Sequence, residues 1–150
     1  VLAISYDIAV VFQMLMTVYS FNNVTDVTKL MSYVAPLLYL LSLVIFWWSV
    51  VTAKSLDFAF SNKVGNIVTT GPFALFRHPF YASYLIAWWT STILFSSVFM
   101  WLTAIYLTAF YVISAKKEEN TILGSEQSEQ YRIYQKNVGM FFPRKIKWKQ

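Results

Sequence analysis

The stretch Phe80 to Ala115, FYASYLIAWWTSTILFSSVFMWLTAIYLTAFYVISA, contains no charged side chain. One crossing of about 30 Å of hydrocarbon needs about 20 mostly apolar residues, so this run is too long for one span and suits two. The break is expected at Ser96-Ser97. That gives a tight helical hairpin whose arms have about 17 residues, or about 26 Å of helix, each. Arms of that length cross the bilayer only marginally, as short or tilted helices.

Two further apolar runs precede the hairpin. Val1 to Phe21 carries Asp7 and Gln13, with Asp7 placed near the interface. It lacks the basic leading region and small-residue cleavage site of a signal peptide, so it reads as a true span. A short polar loop, Asn22 to Ser32, leads to Tyr33 to Ala53, which carries no charge. Pro36 is expected in the first turn of that helix, where a missing N–H costs little. Trp47 and Trp48 suit an interfacial belt. Lys54 to Pro79 is a connector of mixed polarity. Beyond Ala115 the chain turns polar. Lys116 to Lys136, with Ile122, Leu123, Tyr131 and Tyr134 as spaced anchors, reads as an interfacial helix or helix pair broken at Gly124-Ser125. The basic tail, with Phe141, Phe142 and Trp148 interleaved, is expected on an anionic membrane surface.

The expected fold is therefore all-α: one integral membrane domain over residues 1–150. It is a helical bundle of about four transmembrane helices, the last two a short hairpin, plus a C-terminal interfacial helix. Composition agrees. The chain is 57% hydrophobic and 13% charged, against ~25% charged residues in soluble domains. The net charge is +5. Its cations lie between and after the apolar runs, as in cytoplasmic loops, so nucleic acid is not an expected partner. The connector holds Lys54, Lys63 and Arg77 and the tail most of the rest, against Lys29 alone in the first loop. Connector and tail should share the cytoplasmic side. With no cysteine and one histidine, no thiolate or His-rich metal site is expected.

Two polar clusters abut the hairpin. In Gly71-Pro72-Phe73-Ala74-Leu75-Phe76-Arg77-His78-Pro79-Phe80-Tyr81, Gly71-Pro72 fixes a turn and Pro79 starts a helix. Arg77 and His78 are held at the hairpin mouth, where a helix N-terminus also favours anions. The second cluster is Glu118-Glu119. The hairpin returns it towards Arg77 and His78, and opposite charges beside hydrocarbon are costly unless paired. This closes the hairpin with an ion pair, or forms a polar pocket for a charged cofactor.

The ordered set Gly71-Pro72-Phe73, Arg77-His78-Pro79, Tyr81, Glu118-Glu119, Tyr131-Arg132-Ile133-Tyr134, Val138 and Pro143 resembles the isoprenylcysteine carboxyl methyltransferase family over about half the chain. The resemblance implies a membrane methyltransferase using S-adenosylmethionine. Its pocket would be formed by the connector, the hairpin mouth and the C-terminal segment. Gly65, Asn66, Ile67 and Val68 would line it largely through backbone. Phe73 would take a place often held by Tyr. His78, Pro79, Phe80 and Tyr81 would touch the cofactor, and one of Glu118 and Glu119 would bind its polar end. Eukaryotic members place an Arg about one turn before that Glu. Here Ser114 and Ala115 stand there, and the nearest cations are Lys116 and Lys117. With Arg77, these are the candidates for orienting the acceptor. The acceptor would be a lipid or lipidated molecule entering from the bilayer, with a carboxylate such as isoprenylcysteine first in line. A carboxylate is ionised at neutral pH and needs no general base. The short chain suits a minimal prokaryotic member in a bacterial or archaeal inner membrane, its site on the cytoplasmic face. The alternatives are a sterol-type membrane reductase using NADPH, and a non-enzymatic membrane subunit on the same scaffold.

Overall fold

The computed structural model describes residues 2–23, 29–53 and 67–144. Among the described residues there are five α-helices: α1 Leu2–Asn23, α2 Lys29–Ala53, α3 Pro79–Phe95, α4 Val98–Leu123 and α5 Ser128–Asn137. A 3-10 turn, Gly71–Ala74, precedes α3. No strand occurs among them, only a parallel bridge between Phe76 and Gly139. The all-helical expectation holds. α1, α2 and α4 are long and apolar enough to cross a membrane. α3 has 17 residues, about 26 Å, which is short of the ~30 Å hydrocarbon layer.

Burial runs opposite to that of a soluble bundle. On α1, Ile4, Ile8, Val11, Leu15 and Val18 are more than half exposed, while Ala9, Gln13 and Ser20 are buried. On α2, Ala35, Ser42 and Ser49 are buried at intervals of seven residues, together with Ile45, while Leu30, Tyr33, Leu37 and Leu40 lie outside. Small and polar residues inside and large apolar residues outside is the arrangement of helices solvated by lipid. The chain is an integral membrane protein.

The chain packs as two units, Val1–Ser42 with Ser83–Ile113, and Leu43–Ala82 with Ser114–Gln150. The first is held by hydrogen bonds between helices. Gln13 is fully buried. Its Nε2 donates to Thr92 Oγ1 at 3.0 Å, and the Thr103 hydroxyl donates to its Oε1. One side chain on α1 thus ties α3 to α4. Ser42 Oγ donates to the Ser83 carbonyl at 2.8 Å, and Tyr39 and Ser91 share a 2.6 Å bond, joining α2 to α3. Tyr111 on α4 meets the Tyr6 hydroxyl at 3.3 Å and accepts from Trp88 Nε1 at 3.2 Å. The hairpin breaks at Ser96-Ser97 as expected. Ser96 is left-handed at φ 48°, and its N–H closes on the Thr92 carbonyl at 2.8 Å.

Three boundaries differ from the expectation. α2 begins at Lys29, so Pro36 lies inside the helix, not in its first turn, and removes one helical bond. The apolar Leu30 and Met31 extend the helix at that end. α1 runs to Asn23, two residues past the expected end of the first apolar run. The second hairpin arm has 26 residues rather than 17. Lys116 to Leu123 are good helix formers that continue α4 past its apolar part, so Glu118 and Glu119 sit within the helix rather than after it. The expected break at Gly124-Ser125 is present, between α4 and α5.

Gln13→Leu keeps the volume but removes both interhelical bonds. It is expected to lower stability by about 1 kcal/mol, read as an earlier unfolding midpoint in mixed micelles.

Candidate active site

The second unit is organised by a short run of chain ahead of α3. Gly71 has φ 58°, a conformation open to glycine. A Cβ there would also lie 2.6 Å from Thr52 Oγ1 and 3.2 Å from Trp48 Nε1 on α2. Pro72 opens the 3-10 turn, and Phe73 N–H closes it on the Thr70 carbonyl at 3.1 Å. The next residues pair with the tail: Arg77 N–H donates to the Gly139 carbonyl at 2.8 Å and His78 N–H to that of Met140 at 3.1 Å. Gly139 is required by close approach, since a Cβ would meet the Phe142 carbonyl oxygen at 1.9 Å. Tyr134 on α5 donates to the Phe73 carbonyl at 2.5 Å. Tyr131, Tyr134 and Val138 form a buried cluster with Ile67, Ile122 and Leu123.

Arg77 is built into this framework. Its Nε donates to Glu119 Oε1 at 2.8 Å, and its Nη1 to the carbonyls of Val138 at 2.6 Å and Gln135 at 3.2 Å. The Gln135 carbonyl lies in the last turn of α5, which lacks helical partners and carries the negative end of the helix dipole, and Val138 is the extended residue that caps it. Arg144 Nη1 donates to Gln135 and Lys136 carbonyls of the same turn. Glu119 accepts three hydrogen bonds. Oε1 accepts from Arg77 and from His78 Nε2 at 3.0 Å, and Oε2 accepts from Gln135 Nε2 at 2.8 Å. The carboxylate has a side-chain exposure of 7%.

Glu118, one residue earlier, has a side-chain exposure of 49%. It accepts a hydrogen bond from the Tyr81 hydroxyl, and its Oε2 lies 3.4 Å from His78 Nδ1. The His78 ring stacks on Tyr81 at 5.7 Å and 5°, and Phe141 stands edge-on to both. Burial lowers the His78 pKa, but the hydrogen bonds and charges of Glu118 and Glu119 outweigh it and raise the pKa above the ordinary value.

The structure thus brings together Arg77, His78, Tyr81, Glu118 and Glu119 of the residues singled out from the sequence. Pro79 begins α3 beneath them. Phe80 packs between Phe46 and Phe73, which is buried. Ile67 belongs to the tyrosine cluster and Val68 is half-buried. Lys116 and Lys117 are exposed on α4, outside the bonded cluster. Gly65 and Asn66 lie outside the described residues. Three participants were not singled out: Gln135, Gly139 and Phe141. Phe141, expected from sequence on the membrane surface, instead stands against the His78 and Tyr81 rings. The one available signal for Gly139 was its place just past a helix, where glycine is enriched.

Arg77→Lys keeps the charge but cannot serve a carboxylate and two carbonyls from one planar fork. It is expected to cost about 2 kcal/mol, seen as a lower melting temperature in detergent. Gly71→Ala should also lower it, through positive φ and the Thr52 clash together.

The pattern of the Phospholipid methyltransferase family matches residues 30–127. The chain is similar to a methanethiol S-methyltransferase from a Pseudomonas species, at 34% identity over 73 residues. That match covers 49% of this chain and 27% of the relative's length. No solved structure matches it. The matched span takes in α2, the turn at Gly71, both hairpin arms and the glutamate pair, so by its helices and by this polar cluster the chain belongs to the phospholipid methyltransferase family of membrane methyltransferases.

Proposed function

We propose that the chain is an S-adenosylmethionine-dependent methyltransferase acting on a lipid or lipid-soluble acceptor at the membrane face. The observation that carries this reading is the difference between two adjacent carboxylates. Glu119 is committed to the fold, while Glu118 is half-exposed and accepts from the Tyr81 hydroxyl. A half-exposed carboxylate suits a ligand bearing a sulfonium and an ammonium group by charge.

S-adenosylmethionine would supply a methyl on sulfonium: the C–S bond breaks with its pair left on sulfur, and a lone pair of the acceptor forms the new bond. This chain's part is alignment and exclusion of water. Glu118 would take the cationic end of the donor, with Tyr81 and His78 fixing its orientation. Ile67, Val68, Phe73, Pro79 and Phe80, with Gly65 and Asn66, would line the rest. Arg77 is a positioning residue in this reading. Lys116 and Lys117 are left as the cations that orient an acceptor carboxylate. An isoprenylcysteine-type carboxylate is the first acceptor to test, and a thiol, suggested by the name of the Pseudomonas relative, is the second. In this reading the site faces the cytoplasm from a prokaryotic inner membrane. Ile133 and Phe142, 55% and 80% exposed, beside Arg132, Lys136 and Arg144, support an interfacial seat for α5 and the tail on anionic lipid.

Purified protein titrated with S-adenosylmethionine, its demethylated product and NADPH tests this. The first two are expected to bind. NADPH binding alone would replace the reading with a reductase. Glu118→Gln is expected to weaken S-adenosylmethionine binding at least tenfold, about 1.4 kcal/mol, with the melting temperature kept. Glu119→Gln should instead lower the melting temperature. The reverse pattern would exchange the two roles.

A further inference from the structure

The tail past α5 has two parts that are held differently. Its base is bonded into the fold. Val138 is buried and its carbonyl accepts from Arg77 Nη1 at 2.6 Å. The Gly139 and Met140 carbonyls accept from the Arg77 and His78 N–H groups at 2.8 and 3.1 Å. The tip, Phe141 to Arg144, turns back from this base: a Cβ on Gly139 would stand 1.9 Å from the Phe142 carbonyl oxygen. Among the described residues, no backbone bond holds the tip. Two side chains do. Phe141 sets its ring edge-on to His78 at 6.1 Å and to Tyr81 at 6.5 Å. Arg144 donates from Nη1 to the Gln135 carbonyl at 3.1 Å and to the Lys136 carbonyl at 2.9 Å. Phe142 and Pro143, between them, are exposed.

The Arg144 bonds are easily exchanged. They are exposed and go to neutral carbonyls, where water competes for both partners. The Gln135 carbonyl keeps a donor without Arg144, since Arg77 Nη1 lies 3.2 Å from it. Lys136 is exposed, so water can serve its carbonyl. A phosphate offers the same guanidinium a full charge and a pair of oxygens matched to its fork. A segment held by few buried contacts and by exposed bonds opens locally while the rest of the fold stays intact. What the tip covers is the pair of side chains next to Glu118. Tyr81 donates its hydroxyl to that carboxylate, and His78 Nδ1 lies 3.4 Å from it. On its outer side the tip presents an aromatic ring and a guanidinium, with Arg132, Ile133 and Lys136 also exposed on α5. That combination is drawn to an anionic membrane surface, by apolar insertion and by charge.

We propose that Phe141–Arg144 is a lid over the His78–Tyr81 pair, latched by Arg144, and that anionic lipid opens it by taking Arg144 from the α5 carbonyls. Opening lifts Phe141 from the two rings, so the methyl donor exchanges faster on an anionic membrane than on a neutral one. The latch stands on the contacts alone. Its effect on donor exchange rests on the methyltransferase reading.

The chain has no cysteine, so Thr121→Cys with Pro143→Cys, both at exposed positions, takes one pair of spin labels across α4 and the tip. In phosphatidylcholine nanodiscs one narrow distance is expected. Discs containing phosphatidylglycerol should add a second distance, and the same single distance in both lipids overturns the proposal. Inorganic phosphate added to phosphatidylcholine discs should leave the distance unchanged. If it reproduces the second distance, the partner is a free anion and the membrane half falls. With Arg144→Gln added, the open distance is expected in both lipids, and a retained response to phosphatidylglycerol means that Arg144 is not the latch. Dissociation of S-adenosylmethionine from the unlabelled chain should be about tenfold faster with phosphatidylglycerol, about 1.4 kcal/mol of barrier. In Arg144→Gln it should be fast in both lipids. Equal rates alongside a shifted distance overturn the gating of exchange. Failure of S-adenosylmethionine to bind at all counts against the methyltransferase reading, and the spin-label distances then still decide the latch.

Discussion

The Glu119 carboxylate is the point on which the second unit depends. It accepts from Arg77 and His78, in the run before α3, and from Gln135 on α5. These donors come from chain segments over forty positions apart at their widest, so one buried anion fixes three pieces of backbone. A carboxylate this far from water is tolerable only when its lone pairs are met, and here three charged or polar donors meet them. Arg77 extends the same network into the end of α5. There its guanidinium covers the Val138 carbonyl and shares that of Gln135 with Arg144.

The first unit solves a different problem. Lipid gives no hydrophobic drive for helix association, so packing and polar contacts between helices must supply it. Gln13, Ser42, Ser83 and Thr92 do this from buried positions, with Thr103 partly buried beside them. Many large apolar residues face outward and contribute solubility in the bilayer, while Met100, Leu107 and Tyr111 are fully buried.

Against that framework, the neighbouring Glu118 gains its meaning. Two glutamates adjacent in a helix point about 100° apart. One is drawn into the network, and the other is left at its edge with Tyr81 and His78 as partners.

Much of this was legible from sequence because it is local. Uncharged runs of sufficient length must become helices in lipid, where each backbone polar group needs an internal partner. Ser96-Ser97, Pro79 and Gly124-Ser125 marked real ends, because backbone restriction and polarity act within a few residues. Pro36 misled, since nothing local showed that Leu30 and Met31 would carry the helix back to Lys29. The distance from Glu118-Glu119 to Arg77-His78 was also foreseeable, as a hairpin returns its ends together. What the sequence could not say is which glutamate is buried, that Arg77 spends its donors on α5, or that Gln135, Gly139 and Phe141 complete the cluster. Those depend on contacts between segments far apart in the chain, and only the tertiary structure decides them.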